Sequence, residues 1–462
     1  MYNQINPEDS TFRHEIHGIL RMVWPLILGQ LAQASMGLVD TVMAGLSGTL
    51  QLSAVAVGSS FFLPAMFFLV GLTMAIHPII SQLRGKNGLE KAPQKMHATF
   101  IVCAVSSVLI ALLLSLVHLV YDYVQADRDM IRIATLYLYA VAIGLPAVIV
   151  INICRSYCEA LGHTLPTLIF GVISLTLNIP LNYIFIFGKL GIPPLGGVGC
   201  GISTTVTLYL TAVLFYIYIR KASFCKEHRI LIKWYPVHFE DIKEYLKLGI
   251  PLALSTTIEV TCFSITALIL SPFGPVQVAG HTIAVNVSGL LYLIPLCLSM
   301  TATIRTGMFV GSGHIKNCLM VIKTTYGINL IFTIISIVFL VSCREFISSL
   351  YTDDQAVREL AGTLLIFCCI YMFPDSIQSI GCGILKGFKE AKTIFIVSFI
   401  SFWLLAIPLG FILSYGYTPL GELKAYGIWI AFTAALTFAS FGYSYRIYQV
   451  IKRMHRDMIP HL

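Results

Sequence analysis

The feature that most constrains this chain is a succession of apolar runs, each long enough to cross a bilayer as a helix, which takes about 20 residues. Charged residues make up only 11% of the 462 residues, and the mean hydropathy is +0.83, whereas soluble domains carry about 25% charged residues. The pattern predicts an all-α polytopic membrane protein. Its twelve predicted spans are 17–43, 53–81, 97–121, 132–154, 165–188, 199–220, 243–271, 279–308, 317–342, 359–384, 393–415 and 425–447.

Basic residues fall mostly in the loops on one side of these spans. With twelve spans, all but six of the 30 Lys and Arg residues lie on the side that holds both termini. Basic loops are retained in the cytoplasm, so the sequence predicts that both termini are cytoplasmic. The net charge of +8 is thereby explained without a nucleic acid partner. The six exceptions are Arg128, Arg132, Lys189, Arg344, Arg358 and Lys424.

The two halves of the chain resemble each other, with six predicted spans in each. Six spans bring the chain back to its starting side, so the repeat is parallel, an arrangement of transporters that bind substrate near the midplane. The predicted domains are an N-terminal lobe (1–222), a cytoplasmic linker (223–241), a C-terminal lobe (242–447) and a cytoplasmic tail (448–462). Offsets of 226 and then 228 residues match Pro25 with Pro251, Gly48 with Gly274, Gln51 with Gln277, Pro146 with Pro374, Pro180 with Pro408 and Gly188 with Gly416.

Three acidic residues lie deep in predicted spans: Asp40, Glu259 and Asp375. A charged side chain at the bilayer centre costs about 3 kcal/mol on insertion scales. None of the three is repeated in the sister half, so the fold does without an acid at these positions. We therefore interpret them as functional rather than as polar contacts between helices. The sister residues of Asp40, Glu259 and Asp375 are Thr266, Gln33 and Ala147.

No Lys or Arg is predicted at comparable depth to neutralise these acids. They must then be protonated or paired with a mobile cation, because burial favours a neutral carboxyl and a bound cation favours the ionised form. A site that alternates between those states can exchange H⁺ or Na⁺ for a cationic substrate. Tyr371 lies one turn before Asp375 on the same helix face, and can add an oxygen to a site formed with Glu259.

A second polar cluster is predicted in the first half. Asn178 and Asn182 lie four residues apart around Pro180, so they share a face of the fifth span. Together with Asp40 they can form a cation site, and the alternative is hydrogen-bonded packing between helices.

Weaker predictions concern a helix bend, an outer loop and three histidines. Pro25 is a candidate gating hinge, although prolines are also tolerated in membrane helices. Asp353 and Asp354 precede the tenth span and can attract cations, the alternative being a solvated turn. No phosphate loop or hydrolase motif is present. His77, His118 and His281 are isolated in sequence and are interpreted as hydrogen-bonded or interfacial rather than metal-binding.

Three stretches carry a family resemblance: GLVDTVMAG from Gly37, TIEV from Thr257 and PDSIQSIGCGILKG from Pro374. In these residues the chain resembles the multidrug and toxic compound extrusion (MATE) transporters, NorM-type branch, over nearly its whole length. The resemblance implies two six-helix lobes forming a V around a central cavity, and Na⁺- or H⁺-coupled antiport of organic cations.

The same resemblance implies roles for particular residues. It implies a cation site of Glu259, Tyr371 and Asp375 in the C-terminal lobe, in which the two carboxylates would be the ligands if the ion is Na⁺. It assigns Asp40, with Asn178 and Asn182, to the N-terminal lobe. It further relates Asp353 and Asp354 to an acidic pair at the extracellular mouth that touches drugs.

The sequence thus predicts a monomeric secondary transporter of a bacterial cytoplasmic (inner) membrane, not an enzyme. Its expected partners are organic cations, drugs and the lipid bilayer, with Na⁺ or H⁺ as coupling ion, no other cofactor and no nucleic acid. One alternative is a flippase for lipid-linked oligosaccharides from the same superfamily, which would need cationic residues to hold a pyrophosphate. A more remote one is a membrane-embedded aspartyl hydrolase, which would need Asp40 and Asp375 about 3 Å apart.

Overall fold

The computed structural model describes residues 12–121, 127–226, 235–419 and 421–458, and these are helical without any strand. Eleven helices in the described ranges are long and apolar enough to cross a bilayer, and one bent pair makes a twelfth. The predicted all-α membrane fold is confirmed, since each predicted span falls on one of these helices or on the bent pair.

The helices follow one another with short connections. In the first half they are α1 (Phe12–Leu46), α2 (Thr49–Thr73), α3 (Ile76–Gly85), α4 (Ala92–Ser115), α5 (Arg128–Ile143), α6 (Leu145–Ala160), α7 (Leu165–Phe187) and α8 (Gly196–Lys221). In the second half they are α9 (Phe239–Leu270), α10 (Pro275–Ser312), α11 (Ile315–Tyr351), α12 (Gln355–Gly387), α13 (Ala391–Ser398), a π-helical segment (Phe399–Ala406), α14 (Ile407–Ser414) and α15 (Ala425–Met458).

Two predicted spans are interrupted in ways that the sequence pattern did not indicate. The fourth span bends by 41° between α5 and α6, just before Pro146, which has no backbone N–H and favours a helix start. The second span breaks between α2 and α3, at Met74 and Ala75. Such breaks free backbone groups for bonding with side chains.

The helices extend beyond several predicted boundaries. Helix α9 already begins at Phe239, inside the predicted linker 223–241, and α15 continues to Met458, through most of the predicted tail 448–462. Residues 227–234 of the linker and 459–462 of the tail lie outside the described residues. The lobe, linker and tail bounds stay predictions.

Apolar side chains are exposed along the helices rather than hidden. On α4, for example, Val105, Val108, Leu109 and Leu112 are each more than half exposed. In water such a surface would be unfavourable, but lipid tails are as apolar as leucine. These faces therefore suit contact with a bilayer.

The internal repeat is visible in matched contacts. Gln51 Oε1 accepts from the backbone N–H of Gly197 at 2.7 Å, and its sister Gln277 Oε1 accepts from that of Ala425 at 3.3 Å. The glycines that end the fifth and eleventh spans, Gly188 and Gly416, both have left-handed backbones, with φ of 71° and 74°, a conformation that costs glycine little. Equivalent residues therefore make equivalent bonds in the two halves.

Packing groups the chain into two compact units, and neither coincides with one repeat. One unit is Trp24–Ala253, and the other joins the residues up to Val23 with Leu254–Leu462. In the second of these, Glu15 of α1 is buried and accepts from Arg305 of α10, with Nε at 2.8 Å. In the first, Asp241 of α9 lies 2.7 Å from Lys95 Nζ of α4. Glu15 and Asp241 occupy equivalent repeat positions, 226 residues apart.

Helices α10 and α12 approach each other closely enough to exclude a side chain. A Cβ built on Gly383 would lie 2.3 Å from the Ser299 backbone oxygen. Two hydroxyls bond across the same contact: Ser299 Oγ donates to Ser379 O at 2.7 Å, and Thr303 Oγ1 donates to Gly383 O at 2.8 Å. Close backbone approach through small residues is a common way for membrane helices to associate.

We therefore expect Gly383→Ala to destabilise the protein by about 1–3 kcal/mol through overpacking. The matched control is Gly362→Ala on the same helix, where a Cβ would meet nothing within 4 Å. The measurement is thermal unfolding of the purified proteins in one detergent. Equal melting temperatures for the two variants would contradict the close helix contact.

Candidate functional site

The two acids of the second half belong to one cluster. Asp375 and Tyr371 are buried on α12, whereas Glu259 on α9 is partly exposed. The two carboxyl groups interact electrostatically. The structure therefore brings together the three residues predicted for this half.

Neighbouring helices hold the segment of α12 that carries Asp375. Pro374 has no N–H to donate within the helix, and its carbonyl accepts from Ser440 Oγ of α15 at 2.7 Å. Two residues further, the Ser376 carbonyl accepts from Asn329 Nδ2 of α11 at 2.9 Å. Side-chain donors on both sides thus fix the backbone that presents the carboxylate.

Aromatic rings position Tyr371. Its ring meets Trp429 of α15 edge-on, with centroids 5.4 Å apart and an interplanar angle of 75°, and Phe432 lies at 6.3 Å. Edge-to-face pairs of this kind stabilise one ring orientation. Tyr371 therefore lines the cluster in a fixed pose.

Two further residues interact with these acids and were missed by sequence reasoning. Tyr292 of α10 interacts electrostatically with both acids. Gln378, three residues after Asp375 on α12, has a buried Oε1 without a hydrogen-bond donor among the described residues. Lys386 interacts electrostatically with Glu259, so a basic residue affects one of these acids, although none was predicted at comparable depth. The missed signal was helix length, because α12 continues to Gly387 and includes Lys386, whereas the predicted span stopped at 384.

The predicted cluster of the first half is also assembled. Asp40 Oδ1 accepts from Asn182 Nδ2 at 2.6 Å and from Asn178 Nδ2 at 3.0 Å. Its Oδ2 accepts from Thr204 Oγ1 of α8 at 3.0 Å, a partner that the sequence did not indicate. The two asparagines are fully buried and bond to each other at 3.0 Å.

This arrangement offers one free acceptor. Both Asp40 oxygens already accept hydrogen bonds, whereas the buried Asn182 Oδ1 accepts none from the described residues. A hard cation such as Na⁺ needs several oxygen ligands, so a cation would have to replace some of these bonds. The cation site and the packing contact both remain predictions for Asp40.

The other predicted residues have simpler surroundings. Pro25 is buried inside the continuous helix α1. Asp353 is exposed, and Asp354 caps α12 by accepting from the Ala356 and Val357 N–H groups at 2.9 and 3.3 Å. A capping role explains Asp354 without a ligand.

The histidines have hydrogen-bond partners, as predicted. His281 Nε2 lies 3.2 Å from Thr266 Oγ1, and His118 Nδ1 lies 2.8 Å from Ser115 O. His77 contacts Glu159, an acid that is fully buried at the end of α6 and that the sequence did not single out. Within the described ranges, no group of three His, Cys, Asp or Glu residues could hold a metal ion.

Comparison with known proteins gives one family. The MatE family model matches the chain twice, over residues 25–184 and 251–412, which is the same repeat offset. The chain is 35% identical over 442 residues to a probable multidrug resistance protein NorM of Idiomarina loihiensis, covering 96% of each. It is also 35% identical to the multidrug resistance protein MdtK of Edwardsiella ictaluri, covering 94% of this chain and 95% of the relative.

Solved structures share the fold. The crystal structure of the eukaryotic MATE transporter AtDTX14 superposes with a TM-score of 0.87 at 19% identity, covering 96% of this chain and 98% of that one. An outward-facing multidrug resistance MATE family transporter of the MOP superfamily gives 0.86 at 17% identity, covering 96% and 97%.

We expect Asp40→Asn to lower the stability of the protein by about 1–3 kcal/mol. The NH₂ group of the new side chain is a donor, and it would face side-chain donors that now bond to a carboxylate oxygen. The exposed Asp353→Asn is the control and should leave stability unchanged. Thermal unfolding in detergent measures both. If Asp40→Asn melts at the wild-type temperature, the hydrogen-bonded cluster does not contribute to the fold.

Proposed function

This chain belongs to the MatE family, and from this premise we propose that it is a multidrug efflux antiporter driven by Na⁺ or H⁺. Family membership makes it a multi-pass membrane transporter and not an enzyme. Multidrug efflux is supported by the names of two relatives that match nearly the whole chain. The substrates proposed here are organic cations and drugs.

The observation that carries the coupling proposal is the pair of acids in the second half. Glu259 and Asp375 lie on membrane-spanning helices and interact electrostatically. Two neighbouring carboxyls in a low-dielectric site do not both stay ionised without a counterion. A shared Na⁺ would balance this charge and a proton would neutralise it, and Tyr371, one turn before Asp375, would add a neutral oxygen ligand to Na⁺.

Coupling then follows from differential affinity. In the outward-facing state the Glu259–Asp375 site takes up the ion, and substrate leaves. In the inward-facing state the ion is released, and substrate loads. A ligand shifts such an equilibrium only by binding one state more tightly than the other, so the ion and the substrate must favour different conformations of the protein.

Lys386 gives the site a built-in competitor for the ion. Its ammonium interacts with Glu259 and hydrogen-bonds to the Cys382 thiol. Like charges repel, so a cation enters against the charge of Lys386 and leaves with its help. This balance keeps binding weak enough for release in each cycle.

The membrane, orientation and oligomeric state are part of the proposal. We place the protein as a monomer in the bacterial cytoplasmic (inner) membrane with both termini in the cytoplasm, on the basis of the basic loops. Asp40 with its asparagines and Thr204 is proposed as a polar site of the first half, and Pro25 as a point of bending in α1. Asp353 is the exposed acid available to cations before α12.

The decisive variant is Asp375→Asn, assayed as ethidium efflux by purified protein in liposomes with Na⁺ and pH gradients imposed separately. We expect ion-driven efflux to fall to the level of protein-free vesicles, because a neutral amide can neither release a proton nor balance a cation. Glu359→Gln, an exposed change on the same helix, should transport normally. Undiminished ion-driven efflux by Asp375→Asn would rule out the assignment.

Lys386→Gln tests whether the Lys386 ammonium competes with the coupling ion. Removing the ammonium should strengthen binding of the coupling ion about fivefold, equivalent to about 1 kcal/mol, and slow turnover at saturating ion. Ion titration of the efflux rate measures both, with the exposed Lys392→Gln as control. Weaker ion binding in Lys386→Gln would show that the lysine supports the site instead.

A further inference from the structure

A buried charged cluster in the first half takes no part in the proposed cycle. Glu159 at the end of α6 is fully buried, and its Oε2 lies 2.8 Å from His77 Nε2 of α3. Its Oε1 accepts from Thr167 Oγ1 of α7 at 2.6 Å and lies 3.8 Å from Arg155 Nε. The cluster thus joins three helices at one end of the spans.

Both ring nitrogens of His77 face acceptors. Nε2 faces the Glu159 carboxylate, and Nδ1 lies 3.3 Å from the backbone oxygen of Met74. Met74 is at the break between α2 and α3. A neutral imidazole donates through one nitrogen only, whereas the protonated ring donates through both. These partners suit a His77 that carries two ring protons.

The other members of the cluster do not neutralise the second ring proton of His77, which therefore adds one net positive charge. Every group bonded to Glu159 is a donor, which suits an ionised carboxylate. Arg155 balances Glu159, and its terminal nitrogens donate to two neutral oxygens, Gln33 Oε1 at 3.0 Å and Asn152 Oδ1 at 2.6 Å. Binding or loss of one proton at His77 therefore changes the charge of a buried site by one.

The second half shows that the fold does not require these charges. The sister residues of His77, Arg155 and Glu159 are Thr303, Gly383 and Gly387. A Cβ on Gly387 would lie 3.0 Å from the Thr303 backbone oxygen, so the equivalent helices touch directly. Burying an ion pair costs desolvation that direct packing avoids. Packing alone thus does not account for the charges in the first half.

Other titratable groups near these helices are hydrogen-bonded, stacked on a ring, ion-paired or exposed. His163, in the loop after α6, stacks on Phe224 at 3.9 Å, and burial, together with Arg84, lowers its pKa to about 4. On α4, which packs against α3, His97 Nδ1 lies 2.7 Å from Pro93 O.

The remaining charges on the packed elements have other roles. Lys95 of α4 pairs with Asp241, and Glu90 and Lys91 are exposed in the turn after α3. Among the described residues, Glu159 contacts His77 directly, and Arg155 lies 3.8 Å from Glu159.

We propose that His77 and Glu159 form a proton-binding site, with the exchangeable proton on His77 Nδ1, between the ring and the Met74 carbonyl. A hydronium ion gives up a proton to the Nδ1 lone pair, so that an N–H bond forms, an O–H bond breaks and a water molecule is left. On release, that lone pair faces a carbonyl oxygen, and the two repel. Loss of the proton therefore weakens the contact between the ring and the break between α2 and α3, which links the proton to the geometry of the second span.

The test is ¹⁵N NMR of full-length protein in lipid vesicles, with the histidine rings labelled. We expect one ring with both nitrogens protonated, and its signal should vanish in His77→Gln. In Glu159→Gln the same ring should become neutral, because the carboxylate that stabilises its charge is gone. Thr303→Ser, the sister position in the second half, is the matched control and should leave the signal unchanged.

Two results would overturn the proposal: a neutral His77 in the wild type from about pH 5 to pH 9, or an unchanged imidazolium in Glu159→Gln. Should His77→Gln fold poorly, coupling between ¹³C-labelled methionine carbonyls and the ring ¹⁵N assigns the signal in the wild type. Because the readout is spectroscopic, it is independent of ion-driven efflux. If the efflux proposal fails, the NMR spectra still test whether His77 binds the proton.

Discussion

The constraint on which this structure depends is that a bilayer offers no water to pair with backbone N–H and C=O groups. The spans are therefore helices, and where a helix is interrupted a side chain or a neighbouring backbone must supply the missing bond. Beside the break at Met74, the Met74 carbonyl accepts from the His77 backbone N–H and lies 3.3 Å from His77 Nδ1. In α12, Ser440 Oγ adds a hydrogen bond to the Pro374 carbonyl. Polar side chains inside the spans thus bond to backbone groups next to helix breaks and prolines.

The two repeats solve the same packing problem with different chemistry. In the second half, α10 and α12 meet backbone to backbone at Gly383. In the first half, the position equivalent to Gly383 is Arg155, and the equivalent helices α3 and α6 are joined by the contact between His77 and Glu159. The acids are distributed in the same unequal manner, since Glu259 has a glutamine as its sister. A duplicated scaffold keeps the fold common to both halves and leaves each half free to carry its own ion chemistry.

Much of this architecture could be predicted from the sequence, because span length and the proline and glycine register are local signals. The pairing of Asp40 with Asn178 and Asn182 was also accessible, since residues four apart share a helix face. Lys386 and Tyr292 were not, because their place in the cluster depends on helix length and on packing between helices. The bend at Gly144 and the burial of Glu159 were missed for the same reason. Helix ends and tertiary neighbours leave little trace in hydropathy.

Glu15 and Asp241 occupy the same position in each repeat, yet each is bonded to a residue from the other repeat, Arg305 and Lys95. The opening turns of each repeat are thus built into the compact unit that holds most of the other repeat. A chain cut at the middle would therefore yield two fragments, each lacking part of its own compact unit.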